Sequence, residues 1–257
     1  MSLADELRAE RSEHGGRSGS LEIDKLSVAY AVGGQRLRAL NAVSLSMPPG
    51  HRMAIVGESG SGKSTLGLAL MGLLPRNSAS TAAAVRVDGE IVDLTSPRQL
   101  RALRGRTMAM VFQDAKASLD PVRTIGSQIA EVLRVHKIVP KKAIGDEVAR
   151  LLTAVEIKRP AMVAKQYPHE LSGGMRQRAM IASALAGRPS LLIADEPTSA
   201  LDVTTQSAVI DLLRRLGDDG EMSTILITHD LALVAGFAES VTVMYAGEII
   251  EVGDVDQ

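Results

Sequence analysis

Cysteine is absent from the chain, which excludes disulfide frameworks, thiolate metal sites and cysteine nucleophiles. Tryptophan is absent too, and aromatic residues fill only 2% of the 257 positions, too few for the stacking platforms that bind single-stranded nucleic acid. Neither sign of charge is in excess: 29 Lys and Arg face 30 Asp and Glu, giving a net charge of −1 and a pI near 6.5. A general nucleic-acid binder would carry a basic face and a higher pI. Long apolar runs are also missing. The stretch from Ala179 to Gly187 falls well short of the ~20 residues that cross a bilayer, and no apolar segment follows the N-terminus. The expectation is a cytosolic chain, neither inserted nor secreted unaided.

Hydrophobic residues at 45% suffice for a sizeable core of Leu, Ile, Val, Ala and Met, which excludes disorder of the whole chain. Residues 1–20 lack apolar periodicity and read as a disordered leader. Alternating apolar residues over Leu21–Tyr30 and Arg36–Ser46, with Gly33-Gly34 between them, predict a strand pair. Met53–Val56, a Gly/Ser loop and Lys63–Leu74 predict strand, loop and helix. Asp88-Gly89 marks a hairpin turn, Met108–Phe112 a buried strand, and residues 124–165 a helical insertion. After Gly173-Gly174 a helix runs to about Ala186. Strand-like Leu191–Ala194, Thr224–Thr228 and Val241–Tyr245 then alternate with helix-like Thr204–Leu216 and Leu231–Phe237, which implies a parallel sheet; Glu248–Val252 adds one more strand. Arg98, Arg101, Arg104 and Arg106, with Lys141-Lys142, read as a solvated helix face in preference to a polyanion site.

Gly57-Glu58-Ser59-Gly60-Ser61-Gly62-Lys63-Ser64-Thr65 fits the P-loop pattern in its required place, after a strand and opening a helix. Its glycines let backbone N–H groups turn around a phosphate, Lys63 supplies a charge for the β- and γ-phosphates, and Ser64 a hydroxyl for Mg2+. Leu191-Leu192-Ile193-Ala194-Asp195-Glu196 is an apolar strand ending in two acids at the sheet edge where ligands of such folds bind. Asp195 is the candidate for the Mg2+ shell. Glu196 is the candidate base for a water attacking the γ-phosphate.

Leu171-Ser172-Gly173-Gly174-Met175-Arg176-Gln177, followed by the two acids, resembles the signature and Walker B segments of ATP-binding-cassette (ABC) ATPases. The likeness runs from about Leu21 to Val252. It implies an α/β P-loop NTPase core with a mainly parallel sheet, an antiparallel β subdomain and a helical insertion. Residues 21–257 would form the ATPase domain, with the helical subdomain at about 115–187, and the cofactors would be ATP and Mg2+. By the same resemblance Tyr30 stacks on adenine, although a core tyrosine is the plain alternative, and Gln113 senses Mg2+ and the attacking water. Ser199-Ala200-Leu201-Asp202 resembles the D-loop at the dimer seam, and His229 the switch histidine at the γ-phosphate. Ser172, Gly173 and Gly174 form the signature turn, in which Ser172 and Gly174 of one subunit would reach the nucleotide of another; a helix N-cap is the plain alternative for Ser172.

Val56–Ser64, Phe112-Gln113-Asp114, Ser118–Pro121 and Tyr167–Arg178 resemble the dipeptide, oligopeptide and nickel importer branch. That branch implies a second ABC ATPase subunit, more often a paralogue than an identical copy. It also implies two membrane permease subunits, indirect service to an external solute-binding protein, no nucleic acid, and a place on the cytoplasmic face of the membrane. The alternative is a soluble ABC ATPase of DNA repair or translation. Repair relatives insert a long coiled coil, whereas 109 positions without sustained heptads separate Lys63 from Ser172, and translation relatives carry two cassettes. A regulatory module without turnover would be expected to lack Glu196 or His229.

Overall fold

Two alternating stretches, β1 (Leu21–Val32) and β2 (Gln35–Met47), pair as an antiparallel hairpin across Gly33-Gly34. The computed structural model describes residues 19–199, 201–217 and 222–255. Most of the expected leader, residues 1–18, therefore lies outside the described residues. Gly19 and Ser20 belong to the packed fold: the Gly19 N–H donates to Asp88 Oδ1 at 2.6 Å and the Ser20 carbonyl accepts from the Asp88 N–H at 3.0 Å. The packed fold thus takes in two residues ahead of the apolar alternation, because the tie is polar and made by a distant turn.

Along the chain follow β3 (Arg52–Val56), α1 (Lys63–Leu70), β4 (Ser78–Thr81), β5 (Ala84–Val87), β6 (Glu90–Ile91), α2 (Pro97–Leu103) and β7 (Met108–Val111). The helical insertion holds α3 (Ala115–Ser118), α4 (Ile125–Val135), α5 (Ile144–Ala154), α6 (Pro160–Val163) and α7 (Gly173–Leu185). The chain then continues through β8 (Leu191–Asp195), α8 (Val203–Gly217), β9 (Ser223–Thr228), α9 (Leu231–Ala235), β10 (Ser240–Tyr245) and β11 (Glu248–Asp254). One sheet is antiparallel, ordered β2-β1-β5-β6 with β4 also on β1. The other is ordered β11-β10-β3-β9-β8-β7, parallel throughout except for β11 at its edge.

The six-stranded sheet separates two apolar cores, and its central strands alternate between them. Met53 and Ile55 of β3, with Leu191 and Ile193 of β8, face the antiparallel sheet and α1. Ala54, Val56, Leu192 and Ala194 face α7, α8 and the insertion. Burial on both faces is why these strands read as continuous apolar runs.

β4 carries no apolar signal, being Ser-Ala-Ser-Thr, and exists because its backbone pairs with Ser27–Tyr30. The arginine run departs from a solvated face. Arg104 is half-buried, and its guanidinium donates to the Met71 and Gly72 carbonyls at 2.7 and 3.0 Å, satisfying the C-terminal end of α1. Arg106 donates to the His136 carbonyl at 3.4 Å, joining core to insertion, while Arg98, Arg101, Lys141 and Lys142 remain exposed. Among the described residues no helix is long and apolar enough to cross a membrane.

Candidate functional site

Parallel pairing brings four strand ends to one edge. Val56 of β3 is level with Thr228 of β9, Ile227 with Asp195 of β8, and Ala194 with Val111 of β7. The residues just beyond these ends, Gly57, His229, Glu196 and Gln113, therefore collect where open α/β sheets bind ligands.

Gly57 to Gly62 form the loop between β3 and α1. An added Cβ at Gly57 would fall 2.1 Å from the Met244 carbonyl oxygen, and one at Gly62 2.6 Å from that of Ala39, so the loop lies directly on neighbouring backbone. The loop turns on a bond from the Ser61 N–H to the Glu58 carbonyl, and Ser59 and Gly60 occupy its outer bend, exposed. Lys63 is buried, its ammonium donating to the Gly57 and Glu58 carbonyls at 2.7 and 2.8 Å. Burial lowers its pKa, opposed by the charges of Glu196 and Asp195. A support without a sequence motif is the β10–β11 turn. The Gly247 N–H donates to the Ser61 carbonyl at 3.0 Å, and the Gly247 carbonyl accepts from Asn41 at 2.8 Å, seating the loop on both sheets.

The two acids differ in environment. Asp195 is buried and accepts the Ser64 hydroxyl at 2.9 Å. Burial is the chief cause that pushes its carboxyl above the ordinary range; the Ser64 bond opposes this, Glu196 adds to it and Lys63 opposes it. Glu196 is held from two sides, by the Gln113 amide on Oε2 at 2.9 Å and by His229 Nδ1 on Oε1 at 3.1 Å. Its φ of +42° is a left-handed conformation, and a non-glycine residue there is strain of the kind that clusters at functional sites. Tyr30 is half-buried against the core, with its hydroxyl 3.2 Å from that of Thr65 on the first turn of α1.

The signature residues are not joined to this group. Ser172 caps α7, accepting the Met175 N–H at 3.3 Å. Among the described residues, a Cβ on Gly173 would meet Leu201 and one on Gly174 Thr205 within 4 Å, so this turn packs beside the start of α8. There Asp202 accepts the Thr205 N–H and hydroxyl at 3.0 and 2.9 Å, bonds that hold its pKa low. Ala200 of the expected D-loop lies outside the described residues. Ser64 and Asp195 offer hard oxygen donors in hydrogen-bond contact, a set that fits Mg2+, which takes few protein ligands beside phosphate and water.

Residues 40–199 match the protein family described as ABC transporter. The chain belongs to this family. The oligopeptide transport ATP-binding protein OppD of Lactococcus lactis is 44% identical over 237 residues, covering 92% of this chain and 70% of OppD. The glutathione import ATP-binding protein GsiA of Pectobacterium atrosepticum is 46% identical over 243 residues, covering 92% of this chain; the chain spans 39% of GsiA. Among solved structures, the dimeric post-hydrolysis ATP-binding cassette MJ0796 bound to ADP and Pi matches with a TM-score of 0.80 at 26% identity, covering 91% of this chain and 98% of that one. This ABC cassette is an ATP-binding ATPase domain, and its two sheets and helical insertion are the fold that the signature segments imply.

Proposed function

We propose that the chain is the ATP-hydrolysing subunit of a membrane importer for peptides or a related solute. The observation that carries this is the collection of phosphate cradle, acid pair, Gln113 and His229 at one sheet edge. The oligopeptide transport and glutathione import in the names of OppD and GsiA support the solute class and do not favour a DNA-repair or translation role.

Gly57, Glu58, Ser59, Gly60, Ser61, Gly62 and Lys63 take the phosphates of ATP, with Ser64 and Thr65 at the helix start. Ser64, Asp195 and Gln113 hold Mg2+, which neutralises charge on the phosphate oxygens when bound. Glu196 is the base. Gln113 and His229 each occupy one carboxylate oxygen, and each oxygen keeps a second lone pair for water. Glu196 takes a proton as the water oxygen bonds to the γ-phosphorus; the bond from that phosphorus to the bridging oxygen breaks, leaving ADP and inorganic phosphate. His229 faces the γ-phosphate and Tyr30 stacks on adenine.

Ser172, Gly173, Gly174 and Asp202 face a second cassette, of paralogous sequence, completing that partner's site. ATP between the two closes the pair, and hydrolysis removes the contact that favoured closure. Two permease subunits dock beside Gln113 and the insertion, on the cytoplasmic face of the membrane, and an external binding protein delivers the solute. Affinity purification from membranes is expected to recover two permease subunits, with ATPase activity stimulated by a loaded binding protein. Recovery with ribosomes or DNA instead overturns the reading.

The metal site carries a prediction of its own. A carboxyl with a raised folded-state pKa holds its proton more tightly folded than unfolded. Stability therefore falls as pH climbs from the ordinary carboxylate value through the raised one, and at neutral pH the ionised group is a cost. Asp195→Asn is expected to raise the thermal midpoint of nucleotide-free protein at neutral pH and to abolish Mg2+-dependent turnover. A lower midpoint would show that the Ser64 and Lys63 interactions outweigh burial.

A further inference from the structure

The turn between β10 and β11 consists of Ala246 and Gly247, both left-handed at φ +46° and +86°, with Tyr245 paired to Glu248 across it. In such a hairpin the closing bonds use the residues on either side of the turn, so the N–H of its second residue is spare. Here that N–H reaches into the phosphate loop: Gly247 donates to the Ser61 carbonyl at 3.0 Å. The turn is held in place for this bond. The Gly247 carbonyl accepts the Asn41 N–H at 2.8 Å, and the Asn41 amide donates to the Glu248 carboxylate. A Cβ on Gly247 would fall 2.7 Å from the Ala39 carbonyl oxygen, so the turn already lies against β2.

We propose that Gly247 is a positioning residue that aims the Gly62 N–H into the phosphate cradle. The inference rests on the reading of residues 57–63 as the phosphate site. A trans peptide is planar, with its carbonyl and N–H pointing in opposite directions, so whatever fixes the Ser61 carbonyl also fixes the Gly62 N–H. Among the described residues the Gly62 N–H donates to none, which leaves it for a ligand. Gly62 does not hold that peptide by itself. It has no Cβ, and at φ +103° it occupies a region where glycine moves freely. An amide held in direction before the phosphate arrives has no orientation left to lose on binding, so the Gly247 bond favours association without touching the ligand.

Calorimetric titration of the full chain with inorganic tripolyphosphate, together with NMR of the Gly62 amide, tests this. In the wild type the Gly62 amide proton is expected to move downfield as tripolyphosphate binds. Gly247→glycolate, an amide-to-ester exchange, removes the N–H and adds no side chain. It is expected to weaken tripolyphosphate about two- to tenfold, the worth of one neutral hydrogen bond, and to shrink the movement of Gly62 at saturation. A merely structural role lowers the thermal midpoint and leaves the Gly62 response at saturation intact, and that result overturns the proposal, as does wild-type affinity. Gly247→Ala reaches the same bond by a second route, because its Cβ lifts the turn from Ala39 and so from Ser61. Gly89→Ala is the control, a hairpin glycine at φ +78° with none of the described residues within 4 Å of an added Cβ. Both carry the backbone penalty, and only Gly247→Ala is expected to weaken tripolyphosphate. Equal affinities of these two overturn the proposal even where the ester variant folds poorly. A Gly62 amide that responds to tripolyphosphate identically in the wild type and both Gly247 variants leaves the phosphate site standing and removes the role of Gly247. A wild-type Gly62 amide that ignores tripolyphosphate removes Gly62 from the phosphate site, and the proposal with it.

Discussion

Glu196→Gln retains ATP binding and loses turnover by about 10²- to 10⁴-fold, the range a positioned general base contributes. The substitution keeps the shape of the side chain and one carbonyl-type acceptor, so the strained backbone at φ +42° and the seat between Gln113 and His229 are preserved. What disappears is the group able to take a proton from water. The charge beside Lys63 also falls, which removes one of the interactions favouring its ammonium, although Asp195 remains. Fluorescent-nucleotide titration alongside phosphate release separates the two effects: affinity close to wild type with phosphate release nearly abolished is the expected pair. Full-rate release by the variant discards Glu196 as the base.

Gly57→Ala destabilises the fold and the cradle together. Its Cβ would sit 2.1 Å from the Met244 carbonyl oxygen, a backbone atom of β10, which is itself paired to β3. No side-chain rotation relieves that approach, and φ of +152° disfavours any side chain there. The strands must separate or the loop must lift. The expected loss is about 3 kcal/mol, or about 6–12 °C in thermal midpoint for a domain of this size, with weakened ATP affinity because the Gly57 carbonyl holds Lys63. Gly60→Ala is the matched control. At φ +84° none of the described residues lies within 4 Å of an added Cβ, so the backbone penalty of about 1 kcal/mol is the expected cost. Melting curves of the two variants that coincide would show that the Met244 contact is relieved at no cost.

Much of this organisation is legible along the chain. The Gly/Ser loop between an apolar run and a helix, the two acids closing Leu191–Asp195, and the turn at Asp88-Gly89 are local patterns, set by residues within a few positions of one another. Helices α4 and α7 begin at Thr124 and Ser172 because their hydroxyls accept a backbone N–H of the first turn, again a local matter. The same logic misplaces Arg104. A run of arginines at helical spacing predicts a wet face, and nothing in residues 98–106 indicates that the end of α1 lies close enough to need a donor.

Local periodicity and turn chemistry are written between near neighbours, so the strand-loop-helix units, the cradle and the acid pair follow from the order of residues alone. The order of strands does not. β3, β8 and β9 are buried on both faces along nearly their whole length, so burial of these strands does not by itself rank their possible orders. Packing of helices and the second sheet against both faces selected one arrangement. That choice placed Glu196 between Gln113 and His229, set Gly247 beneath Ser61, and brought the Tyr30 hydroxyl to Thr65. These contacts join residues 33 to 186 positions apart, and each exists because burial of apolar surface is indifferent to sequence distance while hydrogen bonding acts only at contact.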